Sequence, residues 1–201
     1  MKEINNKQNE KINELIKINE NKDNKINNLE NKYNKLNEEI NIINDIMKNK
    51  GHLINLIYES KDEENQKIFG KEFIKNNKDN IDFIINGEKS NLIDEYKLKK
   101  GENNIKLIIK NKITNLSYMF DRCKTLKNID ELKYLNTSNC NNFESMFSGC
   151  SSLTDIKSLK NWNVSKGKDF IGMFYECSSL LDIKPLEKWK ISKEQFNTLA
   201  R

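Results

Sequence analysis

Phe143-Glu144-Ser145-Met146-Phe147-Ser148-Gly149-Cys150-Ser151-Ser152-Leu153-Thr154-Asp155-Ile156 is one copy of a pattern that recurs 27 residues to either side. Upstream the matching positions are Met119, Phe120, Cys123, Leu126 and Ile129; downstream they are Met173, Phe174, Cys177, Leu180 and Ile183. The same spacing then aligns Leu132, Leu159 and Leu186, and after them Leu135, Trp162 and Trp189. Self-similarity at this period marks units that cannot bury an apolar face alone and must stack on their neighbours to do so.

Two local geometries are expected inside each unit. Phe143, Met146, Phe147 and Cys150 stand at i, i+3, i+4 and i+7, as do Leu116, Met119, Phe120 and Cys123, and again Phe170, Met173, Phe174 and Cys177. That spacing predicts a two-turn helix with all four side chains on one face. The stretch from Leu153 to Leu159 predicts a short extended segment near Ile156, paired with its counterparts in a parallel sheet. Residues 113–201 are therefore expected to form a solenoid of about three 27-residue coils. Gln195 to Leu199 stand either as a polar terminal cap or within a longer array.

Residues 52–112 read as a β-rich cap over the amino-terminal end of this stack. Leu53 to Tyr58, Ile81 to Ile85 and Ile105 to Ile109 are runs of strand-forming residues, and Asn86-Gly87 is a hairpin signal. Residues 1–50 predict a helix, because residues 5–48 contain neither Gly nor Pro and Lys50-Gly51 supplies a stop. Ile26, Leu29, Tyr33, Leu36, Ile40, Ile43 and Met47 step by three and four alternately, the a and d seam of a coiled coil. Carried backwards the register meets Leu15 and Ile12, but also Lys22, Asn19, Gln8 and Asn5, so the seam weakens toward the start. The fold class expected is α+β: a coiled-coil helix, a small β-rich cap and a repeat solenoid. A homodimer through residues 12–47 is expected; the competing reading is a helix folded back on its own domain or a solvated polar helix.

The Met-Phe-x-x-Cys-x-x-Leu-x-x-Ile-x-x-Leu-x-x-Trp-x-x-Ser pattern resembles the leucine-rich repeats of BspA-like surface proteins. Met146-Phe147-Ser148-Gly149-Cys150-Ser151-Ser152-Leu153 and Met173-Phe174-Tyr175-Glu176-Cys177-Ser178-Ser179-Leu180 carry that resemblance over residues 113–196. The resemblance implies an adhesin or interaction protein and no enzyme.

Charge and composition narrow the classes further. The formal net charge of +5 is spread along the chain, and the first 50 residues hold ten Lys against nine acidic residues, so no clustered basic footprint for nucleic acid is present. Mean hydropathy is −0.83, and no run approaches the 18 apolar residues of a membrane span. Met1 to Asn5 lack the apolar core of a signal peptide, which predicts a cytoplasmic chain as written and a cell-surface or secreted adhesin if a leader is missing. Asn115-Leu116-Ser117, Asn136-Thr137-Ser138 and Asn163-Val164-Ser165 fit the glycosylation triplet and read as chance matches in an Asn-rich chain.

No constellation names a reaction, so no catalytic residue, metal ligand or cofactor is assigned. His52 is the only histidine, which excludes multi-His sites and His-based triads. Cys123, Cys150 and Cys177 hold one place in successive units and include no Cys-x-x-Cys pair, so they read as buried structural thiols, with Cys140 off that column. The binding candidates are the solvent-facing positions of the expected strands: Asn128, Asp155 and Asp182, then Asp130, Lys157 and Lys184. Their mixed signs suit a protein or peptide partner, against a bland alternative of ordinary surface charge.

Overall fold

A computed structural model of the chain describes residues 2–49 and 52–200; side chains are described from residue 11 onward, except at 39, 42, 43 and 45–49. Two compact units divide the chain, Met1–Asn44 and Asp45–Arg201. Helix α1 runs over Lys2–Asn49; its residues up to Asn44 make up the first unit and its last five belong to the second. Its 48 residues correspond to about 72 Å at the rise of an α-helix. Ile26, Leu29, Tyr33, Leu36 and Ile40 of the expected seam are between 46% and 63% exposed, so α1 carries an apolar stripe in water. The stop expected at Lys50-Gly51, and the side chains of Ile43 and Met47, lie outside the described residues.

Beyond the end of α1 the second unit opens with a sheet. Strands β1 (His52–Ser60), β3 (Ile81–Ile85), β4 (Glu88–Ser90), β6 (Gly101–Ile109) and β7 (Leu126–Asn128) form one five-stranded sheet in the order β4-β3-β6-β1-β7. Every pairing in it is antiparallel. β1 and β6 pair along their full length, from His52 opposite Ile109 to Ser60 opposite Gly101. Alternation decides the buried face: Ile54, Leu56 and Tyr58 of β1 point inward with Ile105, Leu107 and Ile109 of β6. Asn86 and Gly87 take φ of 50° and 85°, the two left-handed residues that a two-residue hairpin between β3 and β4 requires. A second ribbon pairs β2 (Glu64–Lys67) with β5 (Glu95–Leu98), and helix α2 (Lys71–Asn77) adds Phe73 to the core.

The cap meets the first 27-residue unit through backbone and ring contacts. Gly70 N donates to Met119 O at 3.1 Å, and the Phe69 ring lies 5.8 Å from that of Phe120. Tyr58 donates its hydroxyl to Ile68 O at 2.6 Å inside the core. One carboxylate oxygen of Glu131 accepts from both Asn55 N and Asn55 Nδ2 at 2.7 Å, which ties the first unit to the exposed side of β1.

The expected leucine-rich-repeat solenoid does not form, and backbone angles show why. Residues 116–123 and their counterparts are turns, not helices. Tyr118, Ser145 and Gly172 form one column of left-handed residues, with φ of 58°, 51° and 63°; Arg122, Gly149 and Glu176 form another, with φ of 59°, 70° and 56°. A left-handed residue every fourth position closes successive four-residue turns, as in Met119 N to Leu116 O and Cys123 N to Phe120 O, and interrupts any helix. The parallel sheet expected around Ile156 is also absent. Ile129, Ile156 and Ile183 have ψ of 20°, 19° and 14°, far from the extended region, and each leads into a 3₁₀ turn at Asp130–Tyr134, Lys157–Leu159 or Lys184–Leu186. Extended structure in this region is confined to β7, which joins the antiparallel sheet, and to isolated bridges at Asn115, Asn142 and Asp169. Among the described residues there are three α-helices, and the third, α3, spans Lys193–Thr198.

The units pack as a ladder of turns. Leu116, Tyr118, Phe120 and Arg122 donate their N–H groups to Asn142, Glu144, Met146 and Ser148; Phe143, Ser145, Phe147 and Gly149 donate to Asp169, Ile171, Met173 and Tyr175. Alternate amides face the next unit while the intervening ones close turns, so every donor is satisfied. Side chains follow the same vector. Phe120, Phe147 and Phe174 stack at 5.3 and 5.5 Å, Phe143 and Phe170 at 5.1 Å, and Trp162 and Trp189 at 6.3 Å. At the far end Gly172 N and Phe174 N donate to Thr198 O and Leu199 O, so α3, held by a Ser192–Gln195 capping box, takes two rungs of the ladder.

Candidate functional site

The outward face of this ladder carries the six candidate positions, and its backbone explains their recurrence. Asn128 Oδ1 accepts from Asp130 N at 2.8 Å, Asp155 Oδ1 from Lys157 N at 2.7 Å, and Asp182 Oδ1 from Lys184 N at 2.8 Å. Each is an Asx turn that captures the amide which an extended strand would have offered to a neighbour. The first column is thus occupied with starting the 3₁₀ turns. The second column projects further: Asp130, Lys157 and Lys184 are all exposed.

Their partners differ from unit to unit. Asn128 Nδ2 donates to Asp130 Oδ2 at 2.9 Å, and Lys157 Nζ pairs with Asp155 Oδ2 at 2.7 Å. The Lys157 ammonium holds the Asp155 carboxyl below its ordinary range, and that carboxylate in turn raises Lys157. Lys184 makes no ion pair among the described residues. The structure therefore brings the six residues onto one face but leaves Lys184 as the free cation of the row.

A second outward row lay outside the candidates. Tyr118 donates its hydroxyl to Glu144 Oε1 at 2.5 Å across one unit boundary, and the Glu144 carboxylate, helped by partial burial, raises the tyrosine above its ordinary value. Ile171, next in that direction, is 56% exposed, and Tyr175 close by is 47% exposed. The signal was available at the same spacing, since Glu144 and Ile171 stand two places before Met146 and Met173.

The Asn-x-Ser triplets have a structural role. Asn115 Oδ1 accepts from both Ser117 N and Ser117 Oγ, Asn136 Oδ1 does the same for Ser138, and Asn163 Oδ1 accepts from Ser165 N. They are turn-formers of the same kind as the Asp155 column, not chance matches.

The cysteines are part of the packing. All four are free thiols and buried, and Cys150 Sγ and Cys177 Sγ donate to Phe120 O and Phe147 O at 3.1 and 3.0 Å. Cys140 is buried too and donates to Ile113 O at 3.2 Å. Burial pushes Cys177 up to about 11 and Cys140 up to about 12, and it raises Cys123 and Cys150 as well, which disfavours the nucleophilic thiolate. The Trp column works likewise: Trp162 Nε1 donates to Leu132 O at 2.8 Å and Trp189 Nε1 to Leu159 O at 3.0 Å. No group of three or more His, Cys, Asp or Glu among the described residues is placed to hold a metal ion. His52 begins β1 and shares a cleft of about 270 Å³ with Lys112 and Asn136.

Fold and face together define a class: a ladder of 27-residue turn units capped by an antiparallel sheet. The family model described as "Mycoplasma protein of unknown function, DUF285" matches residues 90–199, more than half of the chain, and the chain belongs to that family. The match corrects the resemblance to BspA-like leucine-rich repeats, for which no family match is found and whose strand ladder is missing here. No curated protein and no solved structure matches the chain.

Proposed function

We propose that the chain is a non-catalytic protein-interaction module in which the outward face of the turn ladder receives a protein or peptide partner and α1 brings copies together. The observation that carries this is the apolar stripe of α1, where Ile26, Leu29, Tyr33, Leu36 and Ile40 remain about half exposed at a and d spacing. Such a stripe is stable in water once a second helix covers it. On the ladder, Asp130, Lys157 and Lys184 form an exposed mixed-sign row, and Ile171 and Tyr175 are exposed apolar positions of the same ladder, the two kinds of surface that protein interfaces draw on. No helix among the described residues is long and apolar enough to cross a membrane.

Two measurements test the two halves. Light scattering of the full chain is expected to give a mass above 23.7 kDa that falls on dilution, and a concentration-independent monomer mass would overturn self-association. Crosslinking in the native cell, compared between wild type and a Lys157→Glu, Lys184→Glu double variant, is expected to show a partner band lost on charge reversal. An identical set of bands from both would remove the ladder row from the interface.

A further inference from the structure

We propose that α1 pairs with a second copy of itself as a parallel, in-register, two-stranded coiled coil whose alignment is set by the Asn19 layer. The inference rests on the self-association proposed above and fixes its order and direction.

Three features of α1 lead to it. The first is the residue type in the seam. With Ile26 and Ile40 at a, the register places Ile12, Asn19 and Tyr33 also at a, and Leu15, Lys22, Leu29 and Leu36 at d. A β-branched residue at a followed by Leu at d, as in Ile12 with Leu15 and Ile26 with Leu29, is the combination that favours two strands. The second is the polar layer. Asn19 is exposed and divides the apolar Ile12–Leu15 block from the longer Ile26–Ile40 block. In register, Asn19 faces Asn19 of the other copy and the two amides satisfy each other. A slip of one heptad sets it against Ile12 or Ile26 and leaves a buried amide without a partner, so the layer selects one alignment.

The third feature decides direction. Positions flanking the seam on one side, the g positions, include Lys11, Lys25 and Lys32; those on the other, the e positions, include Asp23 and Glu30. All five side chains are exposed. A parallel pair juxtaposes g of one helix with e of the next heptad in the other, which sets Lys25 against Glu30 twice, once on each side. An antiparallel pair juxtaposes g with g and e with e; over residues 11–38 the charged g positions are all lysine and the charged e positions all carboxylate, beside Ile18 at g and Ile16 at e, so within that span no opposite charges meet. Charge complementarity therefore favours parallel pairing. Both chains then leave the coil at the same end, and a partner that binds the ladder face meets two such faces per assembly, the arrangement that converts modest single-site affinity into avidity.

The test uses the full chain. Wild type is expected at twice the 23.7 kDa chain mass by sedimentation equilibrium. Ile12→Cys, which leaves the Asn19 layer in place, is expected to form an interchain disulfide in a glutathione redox buffer, because in-register a positions face each other and the four native cysteines are buried. Lys25→Glu is expected to weaken the dimer about fivefold, and Lys25→Glu with Glu30→Lys to restore it. Circular dichroism verifies that each variant keeps its helix. A monomer mass for wild type would overturn the underlying self-association. A dimer in which Ile12→Cys stays reduced, or in which the double exchange fails to restore affinity, would overturn parallel in-register pairing alone. A trimer or tetramer mass would overturn the two-stranded assignment.

Discussion

Replacing Glu176 by glycine should stabilise the ladder, and replacing Gly149 by alanine should destabilise it. Both residues occupy the column that also contains Arg122, where φ is 56° at Glu176 and 70° at Gly149. A residue with a Cβ carries a penalty of about 1–2 kcal/mol in this conformation. Glycine removes that penalty but brings about 0.5–1 kcal/mol of extra chain entropy in the unfolded state. The Glu176 side chain is exposed and makes no ion pair among the described residues, so nothing else is lost and a net gain of about 0.5–1 kcal/mol remains. Gly149→Ala incurs that penalty, partly offset by the same chain-entropy term, and adds a contact of 3.2 Å between the new Cβ and Arg122 Cα, for a net loss of about 1–2 kcal/mol. Urea unfolding followed by tryptophan fluorescence reads the right part of the chain, because Trp162 and Trp189 are both buried in the ladder. The signs discriminate between geometries. In a helix, glycine at position 176 would cost about 1 kcal/mol and alanine at position 149 would be favourable by a similar amount. Observing those opposite signs would refute the column of left-handed turns.

Two further outcomes follow from the sheet and its junction with the ladder. A Cβ at Gly70 would sit 2.0 Å from Tyr118 O, a backbone atom held by the ladder, so Gly70→Ala should lower stability by about 2–3 kcal/mol in the same urea assay; an unchanged midpoint would mean that the cap does not seat on the first unit in this way. Asp82 pairs with Lys110 at 2.9 Å and Lys89 at 3.2 Å, and although burial acts to raise its carboxyl, the two ammonium groups outweigh it and hold it below the ordinary 3.8. A folded-state value below the unfolded one contributes stability that is present above the unfolded value and lost as pH falls through the folded one. Asp82→Asn should therefore cost up to about 1 kcal/mol near neutral pH and nothing once wild type is protonated well below that value, with the difference shrinking in high salt; a pH-independent difference would rule out this linkage.

The inward columns were legible because residue type and burial coincide. Met119, Met146, Met173, Phe120, Phe147 and Phe174 are 0–3% exposed, and only their recurrence was needed to place them in the core. The backbone that carries them was not legible from the same spacing. Side chains at i, i+3, i+4 and i+7 share a face in a helix, and they also share one in two successive four-residue turns. The arbiter was glycine. Gly149 and Gly172 stand at two different places in the repeat, one three residues after Met146 and the other immediately before Met173, and those are the two left-handed columns. A helix gains nothing from glycine at either place, whereas a turn ladder with left-handed residues there is relieved of backbone strain by it.

The candidate face divides into two columns that the backbone treats differently. Asn128, Asp155 and Asp182 recur with one chemistry because each must capture the amide two residues on, so their constancy reports a backbone requirement. Asp130, Lys157 and Lys184, one step further out, reverse sign between the first unit and the next two while the turns they begin stay the same. Glu144 and Ile171 differ equally within their own column. In a ladder whose rungs are built from backbone, a polar position that repeats is already engaged in holding the fold. A position whose chemistry changes from rung to rung is under no such backbone requirement, and Lys184, Ile171 and Tyr175 are exposed positions of that kind.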